Sequence, residues 1–373
     1  MKRLSATLLV AAATASLHLS AFGADAYWTY DSSAGTISDG LWTFNATVAS
    51  GNKMTVGTCT AYPDSVSLLD FSKPVKDAND TAYTIKTLNT AMVTFSRTGG
   101  RPEESTDKGM AKMVGELRLP ASGLTSIGQG AFCRTVNCTK VVNYLPDTVT
   151  SIGNSAFAYC GAKCDLFLRG LSEAGRGIFY SSKITSIAFG PRFTKMTDFS
   201  NKMMPFQSCS SITNIVFDHS SMNINLLANS FPSGITLKQP LVLYGVTNLA
   251  NAAFANLKVS SITFDSCIRS IGTLANVTTL TEVHFLGGPP TSQSGTFADY
   301  NQGTATVTTY IPWKYRQQWW PYADGYDSEM SHAQKEKLIK RRETTFSSTY
   351  VTTPIKRPLL LADSPPTLLV LFN

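Results

Sequence analysis

Two apolar motifs recur through the middle of the chain. The first is Leu124-Thr-Ser-Ile-Gly-Gln-Gly-Ala-Phe132, nearly repeated 25 residues later as Val149-Thr-Ser-Ile-Gly-Asn-Ser-Ala-Phe157. Weaker copies centre on Ile178-Phe179, Pro205-Phe206, Ser230-Phe231, Ala253-Phe254, Thr273-Leu274 and Thr296-Phe297, at steps of 22, 27, 25, 23, 20 and 23 residues. The second motif follows each anchor: Ile184-x-x-Ile187-x-Phe189, Ile212-x-x-Ile215-x-Phe217, Val259-x-x-Ile262-x-Phe264 and Leu280-x-x-Val283-x-Phe285. Its apolar-x-apolar end predicts a short strand with alternate residues inward. A period in the twenties over about eight units predicts a solenoid. One such coil cannot bury its apolar side alone, but stacked coils place Phe on Phe and Ile on Ile.

Smaller residues fit the same logic. Gly128, Gly153 and Gly272 follow the Ile of the first motif, where a glycine allows either a tight turn or close approach of a neighbouring coil. Ala131, Ala156 and Ala253 precede the anchors and leave room for the ring below.

The segments Leu117 to Phe132 and Leu145 to Cys160 carry Leu-x-Leu-Pro or its remnant, then Leu/Val-Thr-Ser-Ile-Gly-x-x-Ala-Phe-x-x-Cys. This pattern resembles the BspA-type leucine-rich repeats of bacterial surface proteins, over about residues 116–322. The resemblance implies a leucine-rich-repeat solenoid with a parallel β-sheet on one face and short strands, turns and helical turns on the other. It also implies a right-handed curve, export and adhesion to host or matrix proteins. Val307-Thr-Thr-Tyr-Ile-Pro312 and the aromatic stretch to Trp320 are similar to the closing unit of such arrays. There Trp313, Tyr315, Trp319, Trp320 and Tyr322 would cap the last coil, with a sugar-stacking platform as the competing reading.

The predicted organisation is a signal peptide at 1–26, a β-rich N-terminal cap or degenerate repeats at 27–100, and the solenoid at 101–304. A capping unit follows at 305–324, then a charged helix and irregular tail at 325–373. The leader shows in Lys2 and Arg3, the apolar run from Leu4 to Leu19, and small residues around Ala21 to Ala26. Tyr27–Tyr30 and Leu41–Val48 alternate like strands, with turns at Asp31–Gly35 and Asp39-Gly40. Ile85-x-x-Leu88 resembles part of a repeat, and residues 97–109 read as a polar loop. Ser331 and Gln334 form a capping box for a helix reaching Glu343. The end, from Pro358 to Phe372, is split by Asp363-Ser364-Pro365-Pro366 and cannot span a membrane as one helix.

Composition narrows the function. Charged residues are 15% of the chain, against roughly 25% in soluble domains, which suits a β-rich extracellular protein. The net charge of +7 is carried by residues spread along the chain, so nucleic acid is not an expected partner. The odd count of 7 cysteines leaves at least one thiol unpaired. Cys160 and Cys209 sit three residues after an anchor, as small core residues. Cys138 and Cys164 could face each other on neighbouring coils, and a disulfide there is one option. No nucleophile elbow, His-Glu-x-x-His, phosphate loop, dinucleotide motif or calcium loop occurs. No enzyme activity, cofactor, metal or stable membrane span is expected. The expected function is binding of an extracellular protein or glycan at the bacterial cell surface or after secretion. A self-associating structural component is the alternative, and an unrecognised enzyme the third reading. The binding surface would be the outward side chains of the strands: Glu116, Arg118, Asp165, Phe167, Ser186, Ala188, Asn214, Val216, Ser261, Thr263, Glu282 and His284.

Overall fold

The computed structural model describes residues 26–93, 109–196, 203–217, 223–272, 274, 277, 279–293, 308–322 and 327–335. The leader, the polar loop 97–108, the anchor at Phe297 and the tail beyond Lys335 lie outside the described residues.

The coils stack as expected, and the stacking is aromatic. Phe132, Phe157, Phe179, Phe206, Phe231 and Phe254 form one ladder. Successive centroids lie 5.3, 6.0, 5.4, 5.9 and 5.0 Å apart, with rings within 25° of parallel. Offset stacking of this kind adds about 0.5–1.5 kcal/mol per pair beyond area burial. A second ladder runs through the strand motif, in Phe189–Phe217 at 4.8 Å and Phe264–Phe285 at 5.1 Å.

Two parallel strand columns flank the ladders. The first column takes the apolar-x-apolar motifs. It comprises Ser67–Asp70, Val114–Arg118 and Lys140–Val142, then Cys164–Leu168, Ile184–Phe189 and Asn214–Phe217, then Leu241–Leu243, Ser261–Phe264, Glu282–Phe285 and Thr308–Tyr310. The second column takes the Thr-Ser-Ile motifs as strands of two to four residues, from Ser126–Ile127 to Ser292–Gln293. The side opposite the first column is therefore a regular parallel ladder with few helical turns. Threonines staple the coils: the hydroxyls of Thr125, Thr139, Thr185, Thr194 and Thr281 each donate to a carbonyl of the preceding coil.

The structure decides between the two roles of the motif glycines. Gly128, Gly153 and Gly272 do not have positive φ. A Cβ on any of them would collide with backbone of the previous coil, at Asn89–Thr90, Gly128–Gln129 and Ala250–Asn251 respectively. Close approach is their role. The left-handed positions fall elsewhere, two residues before and after the anchors. Gly130, Ser155, Gly177, Asn229 and Ala252 precede, and Arg134, Tyr159, Ser181, Ser208 and Asn256 follow.

The N-terminal region is more than a small cap. Six strands close into a ring: Trp28–Asp31, Thr36–Ser38, Thr43–Ala49, Lys53–Ala61, Ala82–Leu88 and Val75–Asp77, which pairs back with Trp28–Asp31. Trp28 and Trp42 fill it, their indole N–H groups donating to the carbonyls of Asp70 at 2.7 Å and Leu68 at 2.9 Å. The ring is continuous with the coils. Leu88 pairs in register with Ile127, and Phe71 stacks on Trp28 and touches Phe132. The Ile85-to-Leu88 segment thus occupies a repeat position while closing the ring.

Cys138 does not pair with Cys164. None of the seven cysteines forms a disulfide, and the Cys138 thiol donates to the Lys140 carbonyl at 3.2 Å. The Gly161 backbone, pressed against Val136 and Cys138, brings Cys160 beside it. Cys160 and Cys209 are buried, as their spacing from the anchors predicts. The capping box also forms: Ser331 N–H donates to Gln334 Oε1 at 2.8 Å.

Candidate binding face

The outward side of the first column carries two rows of side chains. Register places Phe167, Ala188 and Val216 side by side on three adjacent strands, and Asp165, Ser186 and Asn214 beside them. Farther along, Val242, Thr263, His284 and Tyr310 continue the first kind of row, and Ser261 and Glu282 the second. At the other end Arg118 pairs with Val142 and Glu116 with Lys140. Alternation thus puts all twelve expected residues on this side of the strands.

Their exposure differs. Glu116, Arg118, Asp165, Phe167, Asn214, Val216, Glu282 and His284 are half-buried. Ser186, Ala188, Ser261 and Thr263 are buried, at 7, 6, 9 and 4% exposure. The cause is size and position. Ser186 lies between Asp165 and Asn214, and Ala188 between Phe167 and Val216; Thr263 lies between Val242 and His284, and Ser261 beside Glu282.

Three local clusters shape the face. At one end Arg118 bridges two carboxylates, Glu116 at 2.8 Å and Asp70 at 3.5 Å. In the middle the Arg169 guanidinium stands 5.8 Å from the Phe167 ring centroid, with Asp147 3.7 Å away. At the far end His284 Nε2 lies 3.0 Å from Glu282 Oε2, and the imidazole stacks on Tyr310 at 4.4 Å and 7°. Partial burial and then the Glu282 carboxylate raise the Tyr310 phenol, whose hydroxyl bonds that carboxylate. Periodicity alone did not single out Tyr310 as a partner of His284. Its sequence signal was membership of the closing unit.

Among the described residues no group of three or more His, Cys, Asp or Glu is arranged to hold a metal. No described helix is long and apolar enough to cross a membrane. Of the closing-unit aromatics, Trp319 is buried as a cap, while Tyr315 and Trp320 are half-buried.

The BspA type leucine rich repeat region model matches six copies over residues 125–239 and 200–311, half of the chain. Several solved structures are similar to this chain. A leucine-rich repeat protein from Bacteroides ovatus ATCC 8483 shares 15% identity over 73% of this chain and 77% of that one, with a TM-score of 0.40. One from Eubacterium ventriosum ATCC 27560 shares 18% over 73% and 84%, with a TM-score of 0.30. The pneumococcal vaccine antigen PcpA shares 13% over 76% and 95%, with a TM-score of 0.33. No curated protein matches. With the repeat model covering the same coils whose anchors stack in space, this chain belongs to the BspA-type leucine-rich-repeat family.

Proposed function

We propose that the chain is an exported binding protein that engages a protein partner through the outward face of its first strand column. The observation that carries this reading is the Phe167–Ala188–Val216 row. It is apolar, in register, and bordered by the polar Asp165–Ser186–Asn214 row. Half-buried Phe167 and Val216 on either side of buried Ala188, rimmed by polar groups, match the centre-and-rim composition of protein interfaces. The adhesive role of BspA-like surface proteins supports the same reading.

The test is biolayer interferometry of the full chain against purified extracellular-matrix and cell-surface proteins, beside Phe167→Ala and Val216→Asp. A hot-spot loss of about 2 kcal/mol, roughly thirtyfold in Kd, is expected for each variant. No binding across the panel by folded protein, or binding indifferent to both variants, would sink the reading. A mass that rises with concentration in light scattering, and falls in both variants, would make a second copy the partner.

A further inference from the structure

Of the six described segments that lead from a Phe anchor to the next strand, five carry one cation and none carries an acid. Residues 132–139, 157–163, 179–183, 206–213, 231–240 and 254–260 contain Arg134, Lys163, Lys183, Lys238 and Lys258, and no Asp or Glu. Coil stacking brings these segments together. Gly161 N–H donates to Thr135 O at 3.1 Å, and Lys183 N–H to Cys160 O at 3.2 Å. Thr213 N–H donates to Thr185 O at 2.8 Å, Lys238 N–H to Thr213 O at 2.9 Å and Lys258 N–H to Ile235 O at 2.9 Å. Lys112 joins the row at its start, its carbonyl accepting from Asn137 Nδ2 at 2.9 Å. The result is one continuous rim of the stack, beside the strand face.

All five lysines are exposed and Arg134 is half-buried. Among the described residues none of the five lysines forms an ion pair. Asp165, two residues after Lys163, already accepts from Thr185 Oγ1 at 2.9 Å. Like charges in a row repel, and the arrangement is relieved by an external polyanion. Neighbouring coils are about 5 Å apart, so the charges present a linear track rather than a single pocket.

The rest of the rim indicates the kind of polyanion. The Arg134 guanidinium lies 5.1 Å from the Tyr159 centroid, and Tyr159 meets Tyr180 edge to face at 5.3 Å. Edge-to-face rings leave surface for the C–H face of a sugar and no parallel slot for a base. The coil that lacks a cation, 206–213, offers exposed hydroxyls at Ser208 and Ser210 instead.

We propose that this rim is a second binding surface, for a linear polysaccharide bearing sulfate or carboxylate groups. It uses none of the face residues and stands whether or not a protein partner is found there. Fluorescence anisotropy of the full chain with labelled heparin, polygalacturonate, neutral dextran and single-stranded DNA tests it. Binding to heparin or polygalacturonate, weakening as salt is raised, is expected, with none to dextran. Lys163→Glu with Lys183→Glu is expected to weaken heparin binding at least about tenfold through lost counter-ion release. Lys53→Glu with Lys314→Glu makes the same charge change off the rim and should leave affinity nearly intact, as should Phe167→Ala. Equal losses in the two charge-reversal variants at matched thermal stability, binding to dextran, or tighter binding to DNA than to either polysaccharide would each overturn the proposal.

Discussion

Trp319 rests on Phe285, ring centroids 4.6 Å apart, and its indole N–H donates to the Gly287 carbonyl at 3.3 Å. The contact ends the second aromatic ladder. Without it the outer side of the Phe285 ring would open to water, since the last described strand, Thr308–Tyr310, pairs with residues 282–284 and stops short of Phe285. Trp319→Ala is therefore expected to cost about 3–5 kcal/mol, the range for removing a large buried aromatic. Trp319→Phe keeps a ring and loses the hydrogen bond, so about 1 kcal/mol of the loss should come from that bond. Chemical denaturation of the two variants checks the order. Equal midpoints for wild type and Trp319→Ala would show that the closing unit does not cap the stack.

Gly153 packs against the Gly128–Gln129 backbone so closely that a Cβ cannot fit without moving one coil from the next. Backbone is the obstacle, so no rotamer change relieves it. Gly153→Ala should destabilise by roughly 1–3 kcal/mol or more, the scale of overpacking. Gly57 is a useful contrast, because a Cβ there comes no nearer than 3.3 Å to Asn45 O, on the paired strand of the ring. Gly57→Ala should cost markedly less in the same unfolding experiment. Similar losses at the two sites would remove the case for coil-to-coil contact at Gly153.

The anchors were legible because stacking imposes a period, and a period survives divergence of the residues between. Phe206 and Phe231 were found with little else conserved in their motifs. Exposure was not legible in the same way. Alternation gives the direction of Ser186 and Thr263, but their burial depends on the side chains beside them on the adjacent coils, Asp165 and Asn214 for one and Val242 and His284 for the other. The ring was also hidden. Its closure rests on Trp28 pairing with Val75 and Val75 with Tyr83, contacts that no local pattern announces. The cationic rim looked like scattered charge, because its order exists only once the coils are stacked.

Asp39 is fully buried in the ring, and Lys73 Nζ lies 2.9 Å from its Oδ2. Its other oxygen accepts from the backbone N–H groups of Leu41 at 3.1 Å and Trp42 at 2.9 Å. The carboxylate thus holds the turn that delivers Trp42 to the core. Lys73→Met removes the counter-charge and leaves a buried carboxylate, a change that costs about 3–5 kcal/mol. Asp39→Asn combined with Lys73→Met keeps an acceptor for the turn and removes both charges. The double variant should recover part of the loss, as thermal unfolding would reveal. A double variant less stable than Lys73→Met would show that the turn needs the charge itself.

Burial sets the behaviour of the thiols with pH. Desolvation pushes Cys59 up to about 12 and Cys209 to about 11, from an ordinary 9.0. The neighbouring Cys160 thiol and then burial also raise Cys138. A folded-state value above the unfolded one means that the native chain holds these protons more tightly. The resulting stability is fully present below pH 9.0 and is lost as pH rises toward 11 for Cys209 and 12 for Cys59. Denaturation midpoints should therefore fall from about pH 8 to about pH 10.5. Lysine and tyrosine ionisation contributes to any such fall, so the comparison is with Cys59→Ala combined with Cys209→Ala. That variant should start lower, because two buried side chains are truncated, and decline less steeply. Alkylation gives an independent reading, since the thiolate is the reactive form. Iodoacetamide at neutral pH should leave Cys59 and Cys209 unlabelled in the native protein and label both after unfolding. A slope unchanged by the double substitution, together with rapid native labelling, would mean that these thiols meet water in the folded chain.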